Sequence, residues 1–250
     1  MIQAFYDQLA PYYHLIFEDW QASIDRQSRQ LDAVIQAEWG PSVHKVLDAA
    51  AGIGTQALGL AARGYQVMAS DLSPVAIARA RSEAQSRGLS LAVATADLRE
   101  LSKTHGQFDL VIACDNAIPH LLSDEDTLKA FRECYQCLHA GGGCLISVRD
   151  YGAPGTGSEI HPYGVRRTTG GRYVLFQVWD WDGPHYDLSF YVMYEERGKP
   201  AQVQVFCARY YAVPVHRLLE LMSAAGFENV KRLDTPFYQA LLVGTKGQAA

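Results

Sequence analysis

The stretch VLDAAAGIGT (residues 46–55) decides the fold. An apolar run, Val46 and Leu47, closes on an acid, Asp48. Three alanines follow, and then two glycines spaced by one, Gly52 and Gly54. A short apolar run bounded by turn residues reads as a buried strand. Residues with almost no side chain after it read as a tight turn whose backbone a ligand can approach closely. TQALGLAARG then reads as a helix ended by Gly64. Such a strand–turn–helix unit aims the free N–H groups of a helix start past the strand's carboxyl end, where open parallel sheets bind ligands.

Strand and helix signals alternate outward from this unit. HKVLDAA (44–50) is the first strand and YQVMAS the second. SPVAIARARSEAQSRG is a helix with Ser73 as N-cap, Pro74 at its first position and Gly88 at its end. LSLAVATAD and FDLVIACD (108–115) are the third and fourth strands. SDEDTLKAFRECYQCLHAGGG reads as a long helix, capped by Ser123 or Asp124, acidic at its start and stopped by glycines. CLISVRDY (144–151) is the fifth strand. This alternation implies a parallel sheet with helices on both faces.

Residues 1–42 carry helical periodicity, with Leu31, Val34 and Ile35 as an apolar stripe, and form an N-terminal helical cap. After residue 150 the pattern breaks. Residues 152–170 are rich in Gly, Pro, Ser and Thr. Three runs rich in aromatic residues between 171 and 213 then predict antiparallel strands. We read 151–212 as an insertion or lid, and 213–250 as a closing helix and two strands. The 250 residues thus make one domain, with 43–150 as its ligand-binding half.

Composition narrows the function. Hydrophobic residues are 48% and charged residues 20% of the chain, with a net charge of −5 and no long basic run. That disfavours nucleic acid and anionic membranes as partners. No apolar run reaches the ~20 residues that span a bilayer. The N-terminus lacks the basic and apolar regions of a signal peptide, so a cytoplasmic location is expected. The five cysteines are scattered. Cys134 and Cys137 share a helical stretch with no second pair, so buried thiols are expected and no metal site.

Three further strand ends carry acids. Asp71 ends the second strand and can accept both hydroxyls of a ribose. Asp97 follows the third and can accept from an exocyclic amine. Asp115, in Cys114-Asp115-Asn116, ends the fourth. Each alone is also explained as a helix or turn cap. Three successive ligand-edge acids are harder to explain so. A P-loop is excluded because no G-K-[ST] follows the turn. A dinucleotide site survives at the glycines alone, since Ala57 is tolerated at the third glycine position.

Together, VLDAAAGIGT, the acid ending strand two, A-D-L at 96–98, FDLVIACDN and LHAGGG resemble a class I S-adenosylmethionine-dependent methyltransferase. The resemblance covers roughly residues 43–150. It implies a Rossmann-like seven-stranded, mostly parallel sheet, completed by the last helix and two strands. It also implies S-adenosyl-L-methionine as cofactor, with S-adenosyl-L-homocysteine as product. Gly52 and Gly54 would then stand beside the cofactor's amino-acid part with Asp48 and Ala50. Asp71 and Leu72 would meet the ribose, Asp97 and Leu98 the adenine, and Cys114 and Asp115 would close the set. Ala50 stands where many members have glycine.

ACDNAIPHLLSDED followed by SVRDY is similar, more narrowly, to the glycine and sarcosine N-methyltransferase group. That similarity implies that Asn116 and Arg149 face the substrate. Arg149 would clamp a carboxylate, or else form an internal salt bridge with Asp150 or an acid of the insertion. Arg26, 22 residues before Asp48, is the candidate for the cofactor's carboxylate, with Arg29 as fallback. Among Tyr6, Tyr12, Tyr13 and His14, one tyrosine is expected at the site, Tyr13 being chosen, and packing explains most of the rest. His120 is a candidate base or a structural histidine in the same loop as Asp115. Tyr194, Tyr210 and Tyr211 are candidates to line the pocket. So, more weakly, are Trp179, Trp181, Tyr238 and Gln239.

The expected reaction is in-line methyl transfer to the amine of a small carboxylate-bearing metabolite. A homo-oligomer is compatible with the sequence. The alternatives are an O- or S-methyltransferase of a small metabolite, a nicotinamide-dependent oxidoreductase, and a non-catalytic cofactor-binding protein.

Overall fold

A computed structural model describes residues 2–103 and 106–248. The first strand, β1 (Lys45–Asp48), lies between β2 (Gln66–Asp71) and β4 (Phe108–Ala113), parallel to both. The edge strand β3 (Ala92–Thr95), β5 (Leu138–Val148), β10 (Glu228–Leu233) and β11 (Ala240–Thr245) complete a seven-stranded sheet of order β10-β11-β5-β4-β1-β2-β3. β11 alone runs antiparallel to its neighbours.

Helices cover both faces, as the alternation predicts. Helix α2 (Trp20–Glu38) buries Leu31, Val34 and Ile35 on one face, with α3 (Thr55–Ala62) and α4 (Pro74–Ser86). Helix α5 (Asp124–Gln136) and α6 (Val215–Ala224) cover the other through Phe131, Leu218 and Met222. The expected caps form. Ser73 Oγ accepts from the Ala76 amide at 3.0 Å and Ser123 Oγ from the Asp126 amide at 3.1 Å. Gly64 adopts the left-handed backbone that stops a helix (φ +96°).

The glycines at 141–143 do not stop α5. That helix ends at Gln136, and the glycines belong to β5, which starts at Leu138, six residues before the expected Cys144, and ends at Val148. The reason is packing: a Cβ on Gly143 would lie 2.2 Å from the ring of Trp39, which lies against the strand there. β3 is likewise shorter than the run 89–97.

The insertion is a second, four-stranded antiparallel sheet of order β6-β7-β8-β9, between β5 and α6 in sequence. β7 (Gly171–Asp182), β8 (His185–Glu196) and β9 (Gln202–Tyr211) are the three aromatic runs. β6 (Ser158–Arg167) arises from the Gly- and Pro-rich segment. An edge strand accepts Pro162, and Gly164 (φ +93°) sits at a bulge beside it. The inner face of this sheet buries Leu175, Trp179, Tyr186, Leu188 and Phe190 against Phe5 and Leu9 of α1 (Ile2–Leu9).

The N-terminal cap is therefore held between the two sheets. Ser73 Oγ donates to Asp7 at 2.6 Å, and Arg79 to the Ala10 carbonyl at 2.5 Å. From the insertion, Arg166 donates to the carbonyls of Ile16 and Phe17 at 3.1 and 2.8 Å. This arrangement encloses the carboxyl ends of β1, β2 and β4.

Candidate active site

At those strand ends lies a cavity of about 440 Å³, walled by Ala50, Gly52, Asp71, Leu72, Asp97, Leu98, Cys114 and Asp115 and roofed by Ile2, Tyr6 and Tyr13. The turn after β1 forms its floor. Gly52 is left-handed (φ +53°), a Cβ there would meet nothing within 4 Å, and its amide donates to Asp71 Oδ2 at 2.8 Å. Gly54 (φ +96°) lies behind the wall, where a Cβ would press on Ala80 and Leu58 at 3.2 Å. One glycine opens the site, and the other lets α3 pack on α4.

Asp71 caps and faces the cavity at once. It also accepts from the Ser73 amide at 2.9 Å. Each oxygen keeps a free lone pair, so a diol can still be received. Burial pushes its carboxyl above the usual range, against the pull of the two amides. Asp97 is held differently: the Arg99 guanidinium forks onto both of its oxygens at 3.0 and 2.7 Å and holds its carboxyl below the usual range. Arg99 also reaches Asp126 at 2.7 Å.

Asp48 lies fully buried beneath the turn. Neither of its oxygens makes a well-formed hydrogen bond, although the Ala50 and Ala57 amides favour its ionised form. Burial nevertheless pushes the carboxyl up to about 8. An orphaned buried acid under a glycine turn, a carboxylate with spare lone pairs and an apolar slot between Leu72 and Leu98 suit a ligand with a cationic amino-acid part, a ribose and a purine. The residues present thus fit S-adenosylmethionine.

A second, inner cavity of about 70 Å³ shares Tyr6, Tyr13 and Asp115 with the first. Asp115 and Asn116 both hold left-handed backbones (φ +62° and +66°), a conformation that asparagine and aspartate tolerate best after glycine. Asp115 accepts the hydroxyls of Tyr13 and Tyr238, each at 2.9 Å, and burial raises its carboxyl. Asn116 accepts the Arg149 amide at 2.9 Å and donates to Tyr151 Oη at 2.9 Å, which in turn contacts Tyr186 Oη at 3.0 Å.

Arg149 leaves β5 and projects into the inner cavity. Its guanidinium lies 4.6 Å from the centre of the Trp179 ring, and its Nε is buried without a partner. Among the described residues it forms no ion pair, because Asp150 pairs with Arg232 at 2.6 Å instead. The internal salt bridge is therefore absent. Below it Trp179 stacks on Tyr186 at 4.3 Å and Tyr186 on Tyr210 at 5.1 Å, and His120 lies against Tyr210 at 4.0 Å, tilted by 44°. An outer chamber of about 890 Å³ shares Asp115, Arg149, Tyr163 and Gln239 with the inner cavity and opens beside Phe17 and Tyr238.

The structure brings Asn116 and Arg149 together and sets His120 apart. His120 lines the cofactor cavity, with Nε2 2.7 Å from Tyr6 Oη and Nδ1 buried without a partner. Burial pushes its imidazole down to about 3, so it is neutral at ordinary pH and a weak base.

Arg26 lies on the exposed side of α2, donating to Ser23 at 3.1 Å, and Arg29 is exposed as well. No residue of α2 lines the cavity; its buried Gln27 accepts at 2.8 Å from Gln56, which does. Tyr6 and Tyr13 enter the site. Tyr12 packs on Phe206, and His14 sits near Trp20. Tyr210 lines the inner cavity, whereas Tyr194 packs on Tyr173 and Tyr211 donates to Asp124. Tyr238 and Gln239 both reach the site. Tyr163 and Tyr186 escaped sequence reading, and Tyr151 entered it only as part of SVRDY, without a role. For Tyr186 a signal existed, since it shares one strand face with Leu188 and Phe190. The cysteines form no metal cluster among the described residues, and four of the five are buried.

The fold is Rossmann-like, and the cavity at its strand ends suits S-adenosylmethionine, an arrangement similar to that of class I S-adenosylmethionine-dependent methyltransferases. Comparison with known proteins agrees: residues 46–142 match the family model described as a methyltransferase domain. A glycine/sarcosine N-methyltransferase of Parasynechococcus marenigrum (strain WH8102) is 34% identical over 134 residues, 53% of this chain and 46% of that protein. A glycine/sarcosine/dimethylglycine N-methyltransferase of Actinopolyspora halophila is 37% identical over 111 residues, 44% of this chain and 20% of that protein. The chain thus spans about half the length of such relatives, or less. Among solved structures, Streptomyces venezuelae DesVI superposes with a TM-score of 0.79 at 16% identity, covering 90% of this chain and 92% of that one. The SAM-bound amino pentose methyltransferase CalS10 of Micromonospora echinaspora gives 0.78 at 17%, with the same coverage. At such identities these two speak for the fold.

Proposed function

We propose that this chain transfers a methyl group from S-adenosylmethionine to the amine of a small, carboxylate-bearing acceptor. The observation that carries the reading is Arg149: a guanidinium inside the acceptor cavity, unpaired and oriented by Trp179. A planar fork of donors with no ion pair among the described residues, facing Asp115 only across the cavity, suits a carboxylate from outside. The names of the relatives reported above support an amine as the acceptor atom. The net charge of −5 and the enclosed inner cavity favour a small molecule over nucleic acid.

Asp71, Leu72 and Leu98 would hold the cofactor's nucleoside, and Gly52 and Asp48 its amino-acid end. When bound, the cofactor supplies an electrophilic methyl group on a sulfonium. The protein's part is placement and charge. Arg149 and Asn116 fix the acceptor's carboxylate end. Tyr6, Tyr13 and Tyr210 present hydroxyls and ring faces to the amine, which becomes more cationic as it is methylated. Asp115 stands on the wall common to both cavities. Its carboxylate favours the developing ammonium and is placed to take the proton that the amine must lose. His120, neutral and bonded to Tyr6, steadies that tyrosine.

The test is a screen of small amines, hydroxy acids and thiols with purified protein, reading S-adenosylhomocysteine formed. Turnover confined to carboxylate-bearing amines is the expected result. Turnover only of hydroxyl or thiol acceptors overturns the amine assignment, and cofactor binding without any turnover overturns the enzymatic reading.

A further inference from the structure

The four-stranded sheet has a second face, turned away from the acceptor cavity. Three successive cross-strand rows on it contain one aliphatic hydroxyl, Ser189, and are otherwise apolar or aromatic. The middle row is Pro162–Phe176–Tyr191–Val205, in which Phe176 and Tyr191 stack at 4.6 Å with planes 7° apart. No described segment covers it: Ile160 is 69% exposed and Val203 50%. Antiparallel sheets that face water on one side normally alternate apolar-in with polar-out. This one is apolar on both sides, and contiguous exposed apolar surface of that kind marks an interaction site.

We infer that this face pairs with the same face of a second copy of the chain. The occupant follows from charge. At the β7–β8 hairpin end, Arg209 alone meets Asp182 at 2.5 Å and Asp187 at 2.9 Å, with Asp180 beside them, so that end is net acidic. At the opposite end, Arg167 and Arg172 lie in one row with Glu195, and Glu196, which pairs with Lys199 at 2.8 Å, and Arg197 follow; four bases against two acids leave that end net basic. A two-fold axis in the contact plane and perpendicular to the strands sets each acidic end on the other copy's basic end. It matches the apolar rows at the same time. One surface then satisfies both halves of an isologous contact, with an apolar centre and a charged rim.

The size is adequate. Four strands spaced ~4.8 Å, each about ten residues at ~3.3 Å, give a footprint of roughly 600 Å² per copy. The total of about 1,200 Å² clears the ~1,000 Å² expected of a specific interface. Sheets so packed stand ~10 Å apart with interdigitated side chains. Because the same strands carry Trp179, Tyr186 and Tyr210 on their inner face, the contact also braces the acceptor cavity.

Sedimentation velocity of the full chain at micromolar concentration tests this, with near-ultraviolet circular dichroism as the check on folding. The wild type is expected to sediment as a dimer. Val203→Glu with Val205→Glu is expected to give a folded monomer. A monomeric wild type overturns the inference, and so does a folded double-glutamate variant that stays dimeric. Should that variant not fold, the charge rows decide. Arg167→Glu alone and Asp180→Arg alone should each weaken the dimer at least tenfold, and the two together should restore it. Unchanged association in both single variants overturns the two-fold arrangement.

Discussion

Replacing Arg149 by methionine separates a ligand clamp from a structural cation. In the free protein the guanidinium has a buried Nε without a partner, and among the described residues no carboxylate pairs with it. An unsatisfied buried donor costs about 1–3 kcal/mol, and removing it recovers that amount. The same change forfeits the contact with Trp179 at 4.6 Å, worth ~2 kcal/mol when desolvated. The two nearly cancel, so the melting temperature should stay within ~4 °C of the wild type, taking ~2–4 °C per kcal/mol for a chain of this size. Methionine keeps most of the volume. Activity should respond differently. A carboxylate acceptor would lose two charge-assisted hydrogen bonds, about 3–5 kcal/mol together, which is roughly 10²–10³-fold or more in kcat/KM. Cofactor affinity should not change, since Arg149 does not line the cofactor cavity. Steady-state kinetics, calorimetry with S-adenosylhomocysteine and a thermal melt give the three readings. A large drop in melting temperature with an unaltered acceptor KM would refute the argument and make Arg149 a structural residue.

Other expectations follow from buried groups. Asp48, pushed up to about 8, is protonated at neutral pH in the free protein. A cationic ligand above it favours the ionised form, so binding at pH 7 should release close to one proton. Calorimetry in buffers of different ionisation enthalpy reads that number, and Asp48→Asn should abolish it. For His120 the folded value is about 3, against 6.5 when free. The unfolded chain therefore binds the extra proton between those values, and stability falls as pH drops from about 6.5 towards 3. Urea midpoints of His120→Gln should show a flatter dependence across that window, with the pH profile of kcat/KM above pH 6 unmoved. A lost limb in that profile would make His120 the base after all. Gly143→Ala drives a Cβ to 2.2 Å from Trp39. Overpacking of this kind costs about 1–3 kcal/mol, so the melting temperature should fall by several degrees with cofactor affinity intact.

The wall of the cofactor cavity was legible because it is made by strand ends. A parallel strand's last residue has only one place to be, so Asp48, Asp71, Asp97 and Asp115 could be located from the strands alone. Helix faces gave less. Arg26 and Gln27 are adjacent, and one residue turns a helical side chain by about 100°. With Ser23, Gln27 and Ser28 polar yet buried, the stripe does not say which polar neighbour points inward. The inner-cavity residues were legible only in part, for a different reason. Tyr151, Tyr163, Tyr186 and Tyr238 come from a strand exit, two strands of the insertion and a loop, and converge by tertiary packing between the cap and the insertion. The glycines at 141–143 show the same limit in reverse. Alone they have the form of a helix stop, and only the Trp39 ring, about a hundred residues away in the chain, explains why they sit in a strand. Residues whose role is fixed by what crosses over them cannot be read from their neighbours in sequence. The cavity that selects the acceptor is built almost wholly of such residues, whereas the cofactor cavity is built along the strands, and that difference is why the cofactor was legible before the acceptor.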